Sequence, residues 1–292
     1  MIKPFFASIL IYAVFSFPLS ASEDRTLFWR VDSDQATVYL LGSIHFANES
    51  FYPLRKEIEQ AFEVSDTLVV EVDVNSEESI QRFQYLMQTE GYYSGNETLK
   101  DHLSEKTYQQ LQAYLKEAGI PESLVEKQKP GIVVLTLAAI QAQQSGLKPE
   151  QGIDIHFLNK IKNDKKILSL ETMDEQLRIF LDIEDADLLL QDSFYSLEML
   201  EEEMQVLVNA WKQGDDKAMH KLLFEDLVNE NAAIISLYEN LYFQRNIKMT
   251  GSIKRYLKRK GKYFVVIGAG HLLGEKGIVR LLQNAGYRVN RL

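Results

Sequence analysis

The chain has 292 residues, of which 46% are hydrophobic and 25% charged, a balance that excludes a disordered, collagen-like or low-complexity protein. With 32 basic against 42 acidic residues the formal charge is −10, which argues against a nucleic-acid-binding surface, because such surfaces neutralise phosphates with Lys and Arg. The absence of cysteine excludes disulfides, thiolate metal sites, iron–sulfur clusters and cysteine nucleophiles.

Residues 1–22 read MIKPFFASILIYAVFSFPLSAS. One lysine, an apolar run from Phe5 to Phe17, Pro18 and small residues follow the pattern of a cleaved secretory signal peptide. The run is shorter than the roughly 20 residues that span a bilayer. The expectation is an exported protein, periplasmic or secreted, with no stable membrane insertion after cleavage. Residues 23–292 are read as one α/β domain.

In chain order, Leu27–Val31 and Thr37–Leu41 are short β-type runs around a polar turn, the pattern of a hairpin. A helix opened by Pro53 runs to about Val64. Thr67–Val72 is a continuous apolar run carrying one acid, Glu71, as buried parallel strands do. Helical patterns follow over Glu77–Glu90, from Ser104 to Gly119, from Pro130 to Gln144, and after Gly152. Lys166–Leu170 is a further strand, ending at Glu171. Asp174–Lys260 reads as a series of amphipathic helices. Tyr263–Ile267 is a strand, Glu275–Ala285 a helix and Tyr287–Arg291 a last strand. The pattern predicts a mostly parallel central sheet with helices packed around it. Helical insertions at about 76–150 and 175–260 are expected to form a lobe over the carboxyl ends of the strands. Within the second, Glu239–Gln244 spells ENLYFQ, a viral-protease tag site, here inside a helical pattern and followed by Arg245; it is read as native sequence.

The sharpest chemical signal is a matched pair. VYLLGSIH (38–45) and FVVIGAGH (264–271) each place four apolar residues before Gly-x-x-His. In parallel α/β sheets ligands bind beyond the carboxyl ends of strands, so both motifs would deliver a histidine there. Glu71 and Glu171 share that placement, and a carboxylate at the end of an apolar strand is costly to bury without a cation. His45 and His271 with one or two glutamates form a suitable donor set for a divalent metal, zinc or iron among others. Glu71 could act as ligand or as general base. Arg245 could clamp a substrate carboxylate or pair with Glu171, with Asn246 beside it. Asp73 reads as a solvated strand-end acid, and His102, His156 and His220 as structural or exposed. Ser43 in GSIHF lacks the glycine of a nucleophile elbow. GAGHLLG lacks the spacing of a dinucleotide loop.

Together these stretches resemble the TraB/GumN family, which includes the animal TIKI proteases and is similar to erythromycin esterases and a haem-binding bacterial lipoprotein. The matching segments are LFWRV, TVYLLGSIHFA, LVVEVD, QGIDIHF, KILSLET with Gln176, FQRNIKM, and GKYFVVIGAGHLLGEKGIVRLLQNAGYRV. The resemblance implies a divalent-metal site, with Mn or Co as the ion, that hydrolyses peptide bonds. By matching position it assigns His45, Glu71 and His271 to the metal and its chemistry. Glu171, Arg245 and Asn246 share the family pattern only. The expected activity is a metal-dependent hydrolase acting on a peptide or another amide or ester. Two alternatives stand beside it: a protein that binds a peptide, haem or metal without turnover, and a helical scaffold presenting the acidic stretch Leu197–Asn209.

Overall fold

The computed structural model describes residues 26–161, 165–183, 185–224 and 232–292, and within these not the side chains of 195–204 and 232–234. The leader expected over 1–22 lies outside the described residues, as do the side chains of Glu201, Glu202 and Glu203.

Six strands form one sheet: β1 (Phe28–Asp32), β2 (Ala36–Ser43), β3 (Thr67–Val70), β4 (Lys166–Ser169), β5 (Gly261–Gly268) and β6 (Arg288–Arg291), in the order β4-β3-β5-β2-β1-β6. The four strands from β4 to β2 are mutually parallel. β1 runs antiparallel to both β2 and β6, closing the other edge. This is the mostly parallel α/β sheet the pattern predicts. Burial follows the topology. β5, flanked on both sides, is buried from Tyr263 to Ile267 as an unbroken apolar run, whereas edge strand β4 leaves Lys166 and Ser169 exposed. The hairpin turn between β1 and β2 is tied by Ser33, whose Oγ accepts from the Gln35 and Ala36 N–H groups and donates to the Leu257 carbonyl at 2.6 Å.

The helices are α1 (Lys56–Glu63), α2 (Glu77–Leu86), α3 (Glu105–Glu117), α4 (Pro130–Gln144), α5 (Ile153–Lys160), α6 (Met173–Leu181), α7 (Ala186–Gln213), α8 (Asp216–Phe224), α9 (Ala232–Tyr238), α10 (Gln244–Leu257) and α11 (Ile278–Asn284). Their ends follow local chemistry. Ser76 and Ser104 cap α2 and α3 by accepting from N–H groups three residues on. Pro130 occupies the first turn of α4, where its missing N–H is harmless. Thr172 and Glu175 form a reciprocal capping box on α6. Gly214, at φ +62°, ends the long α7 in the left-handed region. The helix expected from Glu275 begins only at Ile278: Gly274 turns at φ +75°, and at Gly277 a Cβ would meet the Leu273 carbonyl at 2.2 Å.

The sheet and the helices against it form the main core, with Phe28, Phe62, Phe157 and Phe264 in mutual ring contact. Helices α3, α4 and α7 build a separate apolar cluster around Leu111, Leu115, Val133, Leu137 and Leu190. Helices α2, α4 and α6 share a third around Leu86, Ile132 and Leu177. At Gly131 the α4 backbone sits against Phe180 so closely that a Cβ would lie 2.0 Å from its carbonyl oxygen. No helix among the described residues is long and apolar enough to cross a membrane.

Candidate functional site

The four parallel strands end at one edge of the sheet, and each is followed there by a polar residue singled out in the sequence: His45 after β2, Glu71 after β3, Glu171 after β4 and His271 after β5. The point a Cβ would occupy on Gly268 measures their convergence. It lies 3.2 Å from Glu71 Oε1, 3.5 Å from His271 Cδ2 and 3.8 Å from His45 Nε2. Two imidazoles more than two hundred residues apart therefore face one spot, with a carboxylate between them.

Each group is held by a neighbour. The Gly268 N–H donates to Glu71 Oε1 at 2.6 Å. Glu71 Oε2 accepts from Arg245 Nη2 at 2.7 Å and from Gln176 Nε2 at 2.9 Å. Glu171 accepts from Arg245 Nε at 2.9 Å on Oε1 and from Arg245 Nη2 at 2.7 Å on Oε2, with Gln176 at 3.2 Å. Of the two roles open to Arg245, the structure shows the ion pair with Glu171, extended to Glu71. The Glu71 and Glu171 side chains are 9% and 2% exposed, so Arg245 is the cation that makes their burial tolerable.

His271 is buried, and its Nδ1 lies 2.6 Å from Asn246 Oδ1, while Asn246 in turn donates to the Lys276 carbonyl. With an amide oxygen as partner, Nδ1 carries the proton and Nε2 keeps its lone pair, 3.9 Å from Glu71 Oε1. His45 is exposed, with Nδ1 3.1 Å from Asp154 Oδ2 and Nε2 toward the shared point. Asp154 sits in the first turn of α5, whose N-terminus docks on the first motif through the Ile153 N–H to the Ile44 carbonyl. Gly152 permits the approach, since a Cβ there would lie 2.4 Å from the His45 carbonyl oxygen. On the opposite side the fully buried Trp211 of α7 donates Nε1–H to the Gly42 carbonyl at 2.7 Å.

The electrostatics separate the three groups. Burial alone would raise Glu71, but His271, His45, Arg245 and the Gly268 N–H outweigh it and hold the carboxyl at about 2. Burial, aided by Arg245, pushes His271 down to about 4, so it is a neutral imidazole. Partial loss of hydration lowers His45 too, although its ring stays exposed, but its hydrogen bond to Asp154, with the charges of Asp154 and Glu71, carries it up to about 9.

Two Nε2 lone-pair positions and a carboxylate oxygen suit a divalent ion in kind, and oriented Nδ1 partners of this sort are usual for metal-ligating histidines. The spacing is more open: among the described residues no three His, Asp or Glu side chains lie close enough to hold an ion as they stand.

The remaining candidates lie elsewhere. Asp73 accepts from the Asn75 N–H beside the rim. His156 packs against Tyr52 and Phe157 and faces Glu59, His102 pairs with Glu97, and His220 packs on Phe224 beside Gly274. Ser43 Oγ is buried without a hydrogen-bond partner, far from the geometry of a nucleophile–base pair. The orienting role of Asp154 was not read from the sequence, although the residue lies in the QGIDIHF stretch. Its signal was an acid in the first turn of a helix following glycine, which is ordinary helix grammar.

A mostly parallel sheet with two Gly-x-x-His histidines and two acids at one edge defines the class of protein. The chain belongs to the TraB/PrgY/gumN family, whose model matches residues 27–291. It is 30% identical to the uncharacterized protein YbaP of Escherichia coli over 251 residues, 84% of this chain and 87% of that one. A metalloprotease TIKI homolog of Amphimedon queenslandica is 38% identical over 69 residues, 23% of this chain and 13% of that protein. An uncharacterized protein of Treponema pallidum is 23% identical over 182 residues, 61% of this chain and 53% of that one. No solved structure matches.

Proposed function

We propose that this protein is an exported metal-dependent hydrolase acting on a peptide, or on another amide or ester, at the rim beyond β2, β3 and β5. The observation that carries the reading is the convergence of His45 Nε2, the His271 ring and Glu71 Oε1 within 4 Å of one point. These three groups would hold the ion. Mn or Co follows from the family resemblance, and Zn or Fe also suits imidazole with carboxylate. Bound there, the ion would polarise a carbonyl and acidify a water. Of the two roles open to Glu71, that of anionic ligand agrees better with a carboxyl held at about 2, which is a weak base at neutral pH. Asn246 and Asp154 keep the two Nδ1 protons in place, so both Nε2 atoms face the rim. Arg245 fixes Glu71, and Glu171 anchors Arg245. The metalloprotease name of the partial TIKI relative supports the activity, and the leader pattern over 1–22 supports export to the periplasm or medium.

The same carboxylates favour a second reading, binding of a peptide, haem or metal without turnover, because both already accept from Arg245 and Gln176. One experiment separates the two. The protein purified with Mn, Co or Zn is incubated with a peptide library and the products are read by mass spectrometry. Cleavage abolished by His45→Ala and by His271→Ala supports the hydrolase. Ligand-induced stabilisation with no product supports the binding protein. No turnover of peptide, ester or amide, with His45→Ala changing neither metal content nor melting temperature, refutes the metal-site reading.

A further inference from the structure

The ENLYFQ stretch is absorbed by neither the fold nor the proposed metal site. It does not continue an α-helix. Residues Glu239–Phe243 form a π-helical turn between α9 and α10, the kind of local irregularity often found at functional sites. The turn leads directly into Arg245 and Asn246, which reach Glu71, Glu171 and His271, and it carries Tyr242 to the same place.

The Tyr242 ring lies 5.2 Å from the His271 ring. It is held there by Tyr238, stacked at 5.9 Å, and by Phe224, edge-on at 5.0 Å. The second Gly-x-x-His motif makes room for it: a Cβ on Gly270 would sit 2.8 Å from Tyr242 Cε1. Tyr242 is partly buried. Its hydroxyl has no hydrogen-bond partner among the described residues, while the charges of Arg245 and Glu71 act on it. A phenol keeps its proton at neutral pH, so the oxygen can donate. The structure thus presents a phenol without a hydrogen-bond partner among the described residues, on a ring packed between Tyr238, Phe224 and the histidine that lines the rim.

We propose that Tyr242 is a further catalytic residue, whose hydroxyl donates a hydrogen bond to the carbonyl oxygen of the scissile amide or ester as that oxygen becomes negative. This rests on the hydrolase reading above. In the step, the water oxygen forms a bond to the carbonyl carbon and the C=O π pair moves onto the oxygen facing Tyr242. The pair then returns, the C–N or C–O bond breaks with its electrons leaving on the amine or alcohol, and that group takes a proton supplied by the water. The sum is amide or ester plus water giving acid plus amine or alcohol. Tyr242 keeps its proton throughout and nothing is oxidised or reduced.

The test compares wild type with Tyr242→Phe, both loaded with Mn, on a substrate selected from a quenched fluorescent peptide library. Loss of one oxyanion donor lowers kcat by about 10²–10³-fold. The expected result is that drop with KM changed less than about threefold and with Mn content and melting temperature unchanged. Binding of a phosphinic analogue of the same peptide, read by calorimetry, should weaken by at least about tenfold. A kcat within about threefold of wild type overturns the proposal and leaves the hydrolase reading standing. A kcat loss accompanied by loss of Mn or a lower melting temperature also overturns it, since Tyr242 would then be structural. Absence of any wild-type cleavage refutes the hydrolase reading itself, and this proposal with it.

Discussion

Arg245 is the residue on which the stability of the rim turns, and replacing it with methionine is the sharpest test of that physics. Its guanidinium makes contacts of 2.7–2.9 Å to Glu171 and 2.7 Å to Glu71, two side chains that are 2% and 9% exposed. In Arg245→Met the methionine fills similar volume, but two buried carboxylates face each other with only Gln176 as a shared donor. Removing one partner of a buried ion pair costs about 3–5 kcal/mol. At about 2–4 °C per kcal/mol for a chain of this size, the melting temperature should fall by about 6–20 °C. Scanning calorimetry at pH 7 measures it. The pH dependence should weaken as well. In the wild type Glu71 is depressed from 4.5 to about 2, so its contribution is present above 4.5 and lost as pH falls through about 2. Without Arg245 one of the groups that depress Glu71 is gone, so its pKa rises from about 2 toward 4.5 and the stability it contributes above 4.5 shrinks. The gap between variant and wild type should therefore narrow as pH falls below about 4.5. Adding Glu171→Gln to Arg245→Met should restore more than half of the loss, because it removes the unpaired charge. A single variant that melts within 2 °C of wild type, or a gap that does not vary with pH, would show that the acids need no cation and refute the argument.

Three further outcomes follow from the geometry. Asp154→Asn removes the charge that lifts His45, so the His45 titration followed by NMR should move down from about 9 toward 6.5. Because a proton at His45 competes with an ion, Mn or Co affinity measured by calorimetry should rise by about tenfold per pH unit below about 9 if one proton is displaced, and this slope should shrink in Asp154→Asn. Trp211→Phe leaves the buried Gly42 carbonyl without its donor and should destabilise by about 1–3 kcal/mol in urea unfolding. Gly152→Ala places a methyl 2.4 Å from the His45 carbonyl oxygen, and the forced shift should destabilise by about 1–3 kcal/mol and broaden the His45 NMR signals.

What the sequence disclosed and what it withheld follow from the range of the forces involved. The two Gly-x-x-His strands are self-announcing, because a central parallel strand is apolar on both faces and its end is marked by the glycine. Their meeting was legible once both were taken as parallel, since parallel strands share a carboxyl edge. Helix starts at Glu77, near Ser104 and at Pro130 were legible because capping is chemistry within four residues. The joint grip of Arg245 on both acids depends on β3 and β4 being neighbours, which no local pattern encodes. Asp154 and Tyr242 were hidden for a different reason. An acid in a first helical turn and a tyrosine in an aromatic helical stretch each have ordinary local explanations. Only the docking of α5 on the His45 loop and the π turn before α10 give them other partners. The late start of α11 at Ile278 reflects the turn at Gly274 and the close approach of the Gly277 backbone to the Leu273 carbonyl, a contact that local patterning does not reveal.

The place of β5 in the sheet has consequences for how the molecule is assembled. Residues 261–268 are the plank that joins the β1–β2 ribbon to the β3–β4 ribbon, and every inter-ribbon ladder runs through them. Until the ribosome has released this segment, the two earlier ribbons have no shared edge and Glu71 has no Gly268 amide. The chain's most distant contacts therefore close last, which slows folding. A nonsense change near residue 260 would not trim the protein but split it along its middle.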